Sequence, residues 1–208
     1  MSESDWCTCQ LRCLFFTYGT STPISESDDK TLPFQRFARS EGEILYSRTT
    51  EKIKPWPYGR LHDTARQLYD FFFRQGVNLL AAACDRFGEN DLRLTLFFTS
   101  HAAELLLQAL HGAYYASESK ARSLPELFRQ TRTLSAKLSL LLDPDTSDAS
   151  RIFSRLEKSR QPAFSPRSCD CSANETADYL DRMSSLKQIV EECGERRPAL
   201  YAARRASK

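Results

Sequence analysis

The stretch "TLFFTSHAAELLLQALHGAYY" (95–115) sets four polar side chains, His101, Glu104, Gln108 and His111, in an otherwise apolar run. At about 100° per residue they fall within less than a quarter turn of one another on a helix. An imidazole can move a proton, a carboxylate can orient a cation and a carboxamide can pair with a base edge. The same stripe is also what a bundle helix presents at a solvated or inter-helix edge. A second group lies further along. Between 151 and 167 stand Arg151, Arg155, Lys158, Arg160 and Arg167 against Glu157 alone. Arg151 and Arg155 share a helix face, a spacing able to track phosphates.

Other chemistries are less well provided for. The histidines are His62, His101 and His111, and no arginine precedes any of them by the four to six residues of a metal-independent ribonuclease pair. The seven cysteines are an odd number without an export signal, which argues against a disulfide framework. "CTCQLRC" and "CDC" lack the repeated C-x₂₋₄-C spacing of structural zinc sites, so they read as thiols in loops. No metal or cofactor is implied.

The elements that would carry these residues are helical. Only 7 glycines, 41% hydrophobic residues and apolar positions at helical spacing imply an α-rich globular fold. No apolar run reaches the length of a membrane span, and the formal charge of +2 is too mild to define a partner class. With no basic, apolar leader, a cytoplasmic protein is expected. Residues 1–33, with "STPISESDDKTLP", read as a poorly ordered arm. Residues 34–60 hold a short apolar run at Ile44, Leu45 and Tyr46, a plausible lone strand, and the turn-rich "KPWPYG".

A helical pattern runs from Leu61, is interrupted at Gly76 and ends at Gly88. Asn90 can cap a second helix, about 91–116. Ser123 with Glu126 forms a capping box, with Pro125 in the first turn, opening a third helix that reaches Leu142. A fourth spans about 147–161. A second capping box, Ser172 with Glu175, opens a fifth at about 174–193 that closes at Gly194 and Pro198. Short connections make this an all-α, up-and-down antiparallel bundle of about five helices with an irregular N-terminal arm. The basic tail 196–208 reads as solvated. "DFFFRQ" is too apolar all round for one buried face, so some of its rings are expected at an interface with another chain.

"FFTSHAAELLLQALHGAYY", "RSLPELFRQTRTLS" and "FSRLEKSRQ", in that order, resemble the HEPN domain (higher eukaryotes and prokaryotes nucleotide-binding). The family's apolar–His–Gln–Ala–Ala–Glu pattern is similar to Ser100-His101-Ala102-Ala103-Glu104, with Ser in place of its His and His101 in place of its Gln. Its Lys-x-His-x-Leu motif resembles Lys120-Ala121-Arg122-Ser123-Leu124, and its Ala-Arg-Tyr resembles Ser159-Arg160-Gln161. Upstream, "LPFQRFARSEGEILYS" is similar to the tail of a minimal nucleotidyltransferase entering a fused HEPN domain. The likeness covers about 32–195. The transferase's Gly-Ser turn and paired acids are mimicked by "YGTSTPISESDD", but too few residues follow to build the intervening sheet.

The resemblance implies a HEPN-like domain over 61–195 that binds a nucleotide or RNA without catalysis, forms a homodimer and serves a nucleotidyltransferase of the toxin–antitoxin kind. The contact residues it suggests are His101, Glu104, Gln108, Arg151, Arg155 and Arg160. Glu104 and Arg160 would meet as an ion pair, a union that also makes structural sense alone, because an isolated buried carboxylate is costly. Two alternatives stand beside it: a metal-independent ribonuclease using an atypical pair such as Arg160 with His101, and a purely structural dimerisation or interaction module.

Overall fold

The computed structural model describes residues 58–142, 146–160 and 171–206, and among these every regular element is helical. The arm, the run at Ile44–Tyr46, nearly all of the transferase-like segment and the cysteines Cys7, Cys9, Cys13 and Cys169 lie outside the described residues. Six α-helices follow in order: α1 (Tyr58–Gly88), α2 (Leu92–Tyr115), α3 (Leu124–Thr131), α4 (Ala136–Leu141), α5 (Ser147–Ser159) and α6 (Ala173–Ala206). A 3₁₀ turn, Arg132–Leu134, joins α3 to α4. The three long helices α1, α2 and α6 pack against one another, and α2 also receives α3 and α5. None of the described helices is long and apolar enough to cross a membrane.

α2 is the hub because its sequence is apolar on nearly every side. Leu96, Leu106, Leu107 and Leu110 are buried, and the small Ala102, Ala103, Ala109, Gly112 and Ala113 let neighbours approach closely. No residue of α2 is exposed. Two glycines make the α1–α2 contact intimate, and Gly76 lies within an unbroken α1. A Cβ at Gly76 would stand 3.0 Å from Leu106 Cγ, and one at Gly112 would stand 2.8 Å from Leu68 Cβ. Burying these apolar surfaces, not intrinsic helix propensity, stabilises the bundle.

The α1–α2 corner differs from the sequence expectation in its details. Asn90 takes the left-handed conformation, φ 60°, while Asp91 and Asn90 return their N–H groups to Arg86 O and Phe87 O, each at 2.9 Å. This pair of hydrogen bonds is a Schellman closure, with Asn90 supplying the positive φ. The cap of α2 is therefore Asp91, whose Oδ1 accepts the Leu94 N–H at 3.0 Å.

Two helix boundaries are corrected. The helix expected over 123–142 is broken at Ser135, which is extended (φ −151°, ψ 131°). Hydroxyls compete with the helical ladder there: Thr131 Oγ1 reaches Leu127 O at 3.0 Å, and Ser139 Oγ donates to Arg132 O at 2.8 Å. The last helix does not close at Gly194. It continues through Pro198 to Ala206, and Gly194 instead serves α1, since a Cβ there would lie 2.0 Å from Tyr69 Cε2. A local breaker signal yields to a tertiary contact that needs the missing side chain.

Most rings of the aromatic run pack within the chain. Tyr69 is buried and stacks on Phe73 with ring centroids 5.2 Å apart, and Phe72 and Phe73 pack against the core. Of that run Phe71 alone is exposed, at 58%. Three helices surrounding one another give α1 two buried flanks, so most of its rings find partners within the chain.

Candidate functional site

The α2 stripe faces the chain segment that leaves α2 and returns to α3, and it holds that segment by side-chain hydrogen bonds. α2 ends at Ala116, left-handed at φ 51°. His111 Nδ1 lies 2.9 Å from Ser117 O, with its ring against Tyr115. Burial pushes this imidazole below its ordinary value, partly offset by the Ser117 carbonyl. One turn earlier, Gln108 uses both ends of its amide on Ser119: Oε1 accepts the Ser119 N–H at 2.9 Å, and Nε2 donates to Ser119 O at 3.3 Å. Ser119 Oγ continues the stitching to Gln130 and to the Ala121 N–H. Connecting backbone that would otherwise hide unpaired groups is satisfied in this way.

A further turn back, the stripe meets α5. Arg160, the C-cap of α5, donates from Nη2 to Glu104 Oε2 at 2.6 Å. Its Nη1 lies 3.6 Å from Glu157 Oε1, and that oxygen also accepts the Leu124 N–H at the first residue of α3. The three side chains are each about a quarter to a third exposed: Arg160 24%, Glu104 31%, Glu157 32%. The sequence expectation of a Glu104–Arg160 pair is thus matched by a direct contact across 56 residues. Glu157, the lone acid of the basic stretch, completes the cluster, and its i,i+3 spacing to Arg160 is the signal for it in the sequence.

Two buried hydroxyls lie close to these residues in sequence. Ser159, beside Arg160, is 1% exposed and its Oγ lies 3.2 Å from Leu96 O and 2.7 Å from Leu156 O. Ser100, one turn before Glu104 on the same side of α2, is fully buried, and its Oγ has no hydrogen-bond partner among the described residues. His101 is turned to its own helix, with Nδ1 2.9 Å from Phe97 O and its ring on Phe97.

The two arginines expected to form a phosphate ridge stand elsewhere. Nine residues separate Arg151 from Arg160, about half a turn at 100° per residue, so they occupy opposite sides of α5. Arg151 is engaged by Asp148 and Glu175, each at 3.2 Å, and Arg182 by Asp148 at 2.9 Å and Asp178 at 3.0 Å. Arg155 acts electrostatically on Glu175 and Tyr179 in the same neighbourhood. Glu175 also closes the capping box of α6: its N–H bonds Ser172 Oγ at 3.2 Å and its carboxylate accepts the Ser172 N–H at 3.0 Å. That backbone donor holds the Glu175 carboxyl below its usual range. The second face is therefore a balanced α5–α6 ion network.

The six candidate residues do not converge: Gln108, beside His111, holds the connection, His101 turns to its own helix, Glu104 meets Arg160 at the α2–α3–α5 junction, and Arg151 and Arg155 face α6. Among the described residues no three His, Cys, Asp or Glu side chains are gathered as a metal site. Fold and junction define an all-α helical bundle with a partly exposed carboxylate–guanidinium cluster. Comparison with protein-family models, curated proteins and solved structures finds no match to this chain.

Proposed function

We propose that this chain is a HEPN-like module that binds a nucleotide or RNA without cleaving it, acts as a homodimer and serves a nucleotidyltransferase partner of the toxin–antitoxin kind. The observation that carries the reading is the Glu104–Arg160 contact at 2.6 Å. It joins the two positions that the resemblance singles out on different helices, and both remain open to solvent. Support for binding without catalysis comes from the two carboxylates beside Arg160, Glu104 at 2.6 Å and Glu157 at 3.6 Å, which restrain it from following a phosphate through a transition state. The exposed Phe71 on α1 is the natural anchor of the dimer.

The test is a mobility-shift titration of mixed RNA at low and raised salt, with metal-free incubation of the same RNA in parallel. The expected outcome is a salt-sensitive shift with the RNA left intact. Cleavage that His101→Ala and Arg160→Ala abolish would establish the ribonuclease instead. The stitching of the connection by Gln108 and His111 favours a second reading, a structural interaction module, which predicts neither an RNA shift nor a nucleotide-dependent rise in melting temperature.

A further inference from the structure

The outward face of α1 carries a pattern that nothing within the described chain answers. Gln67, Phe71, Arg74, Asn78, Ala81 and Asp85 are all exposed, and at about 100° per residue they lie within a quarter turn of one another. Phe71 is held out at 58% exposure, its ring meeting Phe72 edge-on with centroids 5.2 Å apart. The stripe holds two charges of opposite sign, Arg74 and Asp85. They stand three turns apart, about 16.5 Å along one helix, so they cannot pair with each other. Neither side chain has a partner among the described residues. Asp70, one turn before Arg74, is taken by Arg66 at 3.2 Å, and Arg86, beside Asp85, is taken by Glu89. Between the two charges the stripe is uncharged, as the core of an interface is.

Resting on the homodimer in the reading above, we infer that a second copy docks on this face with its α1 antiparallel to the first, Arg74 of each copy against Asp85 of the other. A twofold axis lets one self-complementary patch serve both subunits. A parallel pair would instead set Arg74 against Arg74 and Asp85 against Asp85, a juxtaposition of like charges. In the antiparallel register the axis lies level with the Leu79–Leu80 peptide. Asn78 then opposes Ala81 of the second copy, and these short side chains let the two helices approach. Phe71 comes over the last turn of the other α1. Nothing lies within 4 Å of the Gly88 Cβ position, so that turn has room for a ring.

The experiment is analytical ultracentrifugation of the full chain across a concentration range, as the parent and as Arg74→Asp, Asp85→Arg, the two together, and Phe71→Glu. The parent is expected to dimerise. Each single charge reversal sets like charges together at both symmetry-related contacts and is expected to weaken the dimer about tenfold or more. The double reversal restores opposite charges across the interface and is expected to return to within about threefold of the parent. Phe71→Glu is expected to weaken the dimer at least as much as either reversal. These positions are exposed, so the variants are expected to keep the fold, which circular dichroism checks. A double variant that dimerises no better than the single ones overturns the inference. A dimer that neither reversal weakens, or that Phe71→Glu leaves intact, sits on another surface; it overturns the inference while the homodimer of the reading stands. A parent that stays monomeric throughout overturns both, and leaves nucleotide binding to be decided by the RNA titration.

Discussion

Replacing Gly194 by alanine sets two physical effects of known sign against each other. In an exposed helix interior, Gly→Ala stabilises by about 1 kcal/mol through backbone entropy. Here the added methyl would lie 2.0 Å from Tyr69 Cε2, 2.5 Å from Cζ and 2.7 Å from Cδ2. Ordinary carbon contacts begin near 3.5 Å, so relief requires a separation about 1.5 Å greater. The ring cannot supply it by swinging to solvent, because Tyr69 is only 6% exposed and lies stacked on Phe73. Either α6 moves from α1 or Tyr69 leaves its rotamer, and such overpacking costs about 3 kcal/mol at the upper end of the usual range. After the propensity gain, the net loss is about 2 kcal/mol, or about 4–8 °C in melting temperature for a chain of this size.

Urea unfolding followed by far-UV circular dichroism would measure it, with an unchanged m-value showing that the unfolding transition itself is the same. Gly88→Ala is the control: nothing lies within 4 Å of its Cβ position, so it should gain about 0.5–1 kcal/mol. In a Tyr69→Leu background the cost of Gly194→Ala should shrink below about 1 kcal/mol, because the opposing ring is gone. A Gly194→Ala protein as stable as the parent, or more so, would refute the close α1–α6 approach and restore Gly194 to the role of helix terminator.

Further outcomes are expected elsewhere. Ala116→Gly should raise stability by about 0.5–1 kcal/mol in the same urea assay, because φ 51° is a left-handed conformation that a Cβ disfavours. Ser100→Ala should stabilise by about 1 kcal/mol, since it removes a buried hydroxyl without a partner. The Glu104–Arg160 pair is partly exposed and so screened by solvent; its coupling in a double-mutant cycle should stay below about 1 kcal/mol, so a larger value would mean a drier junction. Burial lowers the His111 pKa in the folded state, so its contribution is fully present above the unfolded imidazole value and is lost as pH falls below it. Stability measured between pH 7 and 5 should therefore decline, and His111→Gln should lessen that decline. Glu175, held below the carboxylate range by the Ser172 N–H, adds a separate loss at lower pH as it protonates, which Glu175→Gln should remove.

The helical character of the described chain and the opening of α3 and α6 at Ser123 and Ser172 were legible in the sequence, because capping residues and apolar spacing act over a few residues or obey a fixed period. The meeting of Glu104 with Arg160, 56 residues apart, was expected only through the family resemblance, since no local or periodic signal links the two. Even the separation of Arg151 from Arg160 follows from nine residues at about 100° each. Tertiary structure decided the rest. Whether the polar stripe met water or protein depended on the Ala116–Ser123 connection folding back along α2, where Gln108 finds Ser119 and His111 finds Ser117. Glu157 joined the cluster because α3 begins beside it and offers the Leu124 N–H. Gly194 reads as a stop in one dimension and becomes a point of contact in three, because the energy of letting α6 reach Tyr69 outweighs the local preference to end the helix.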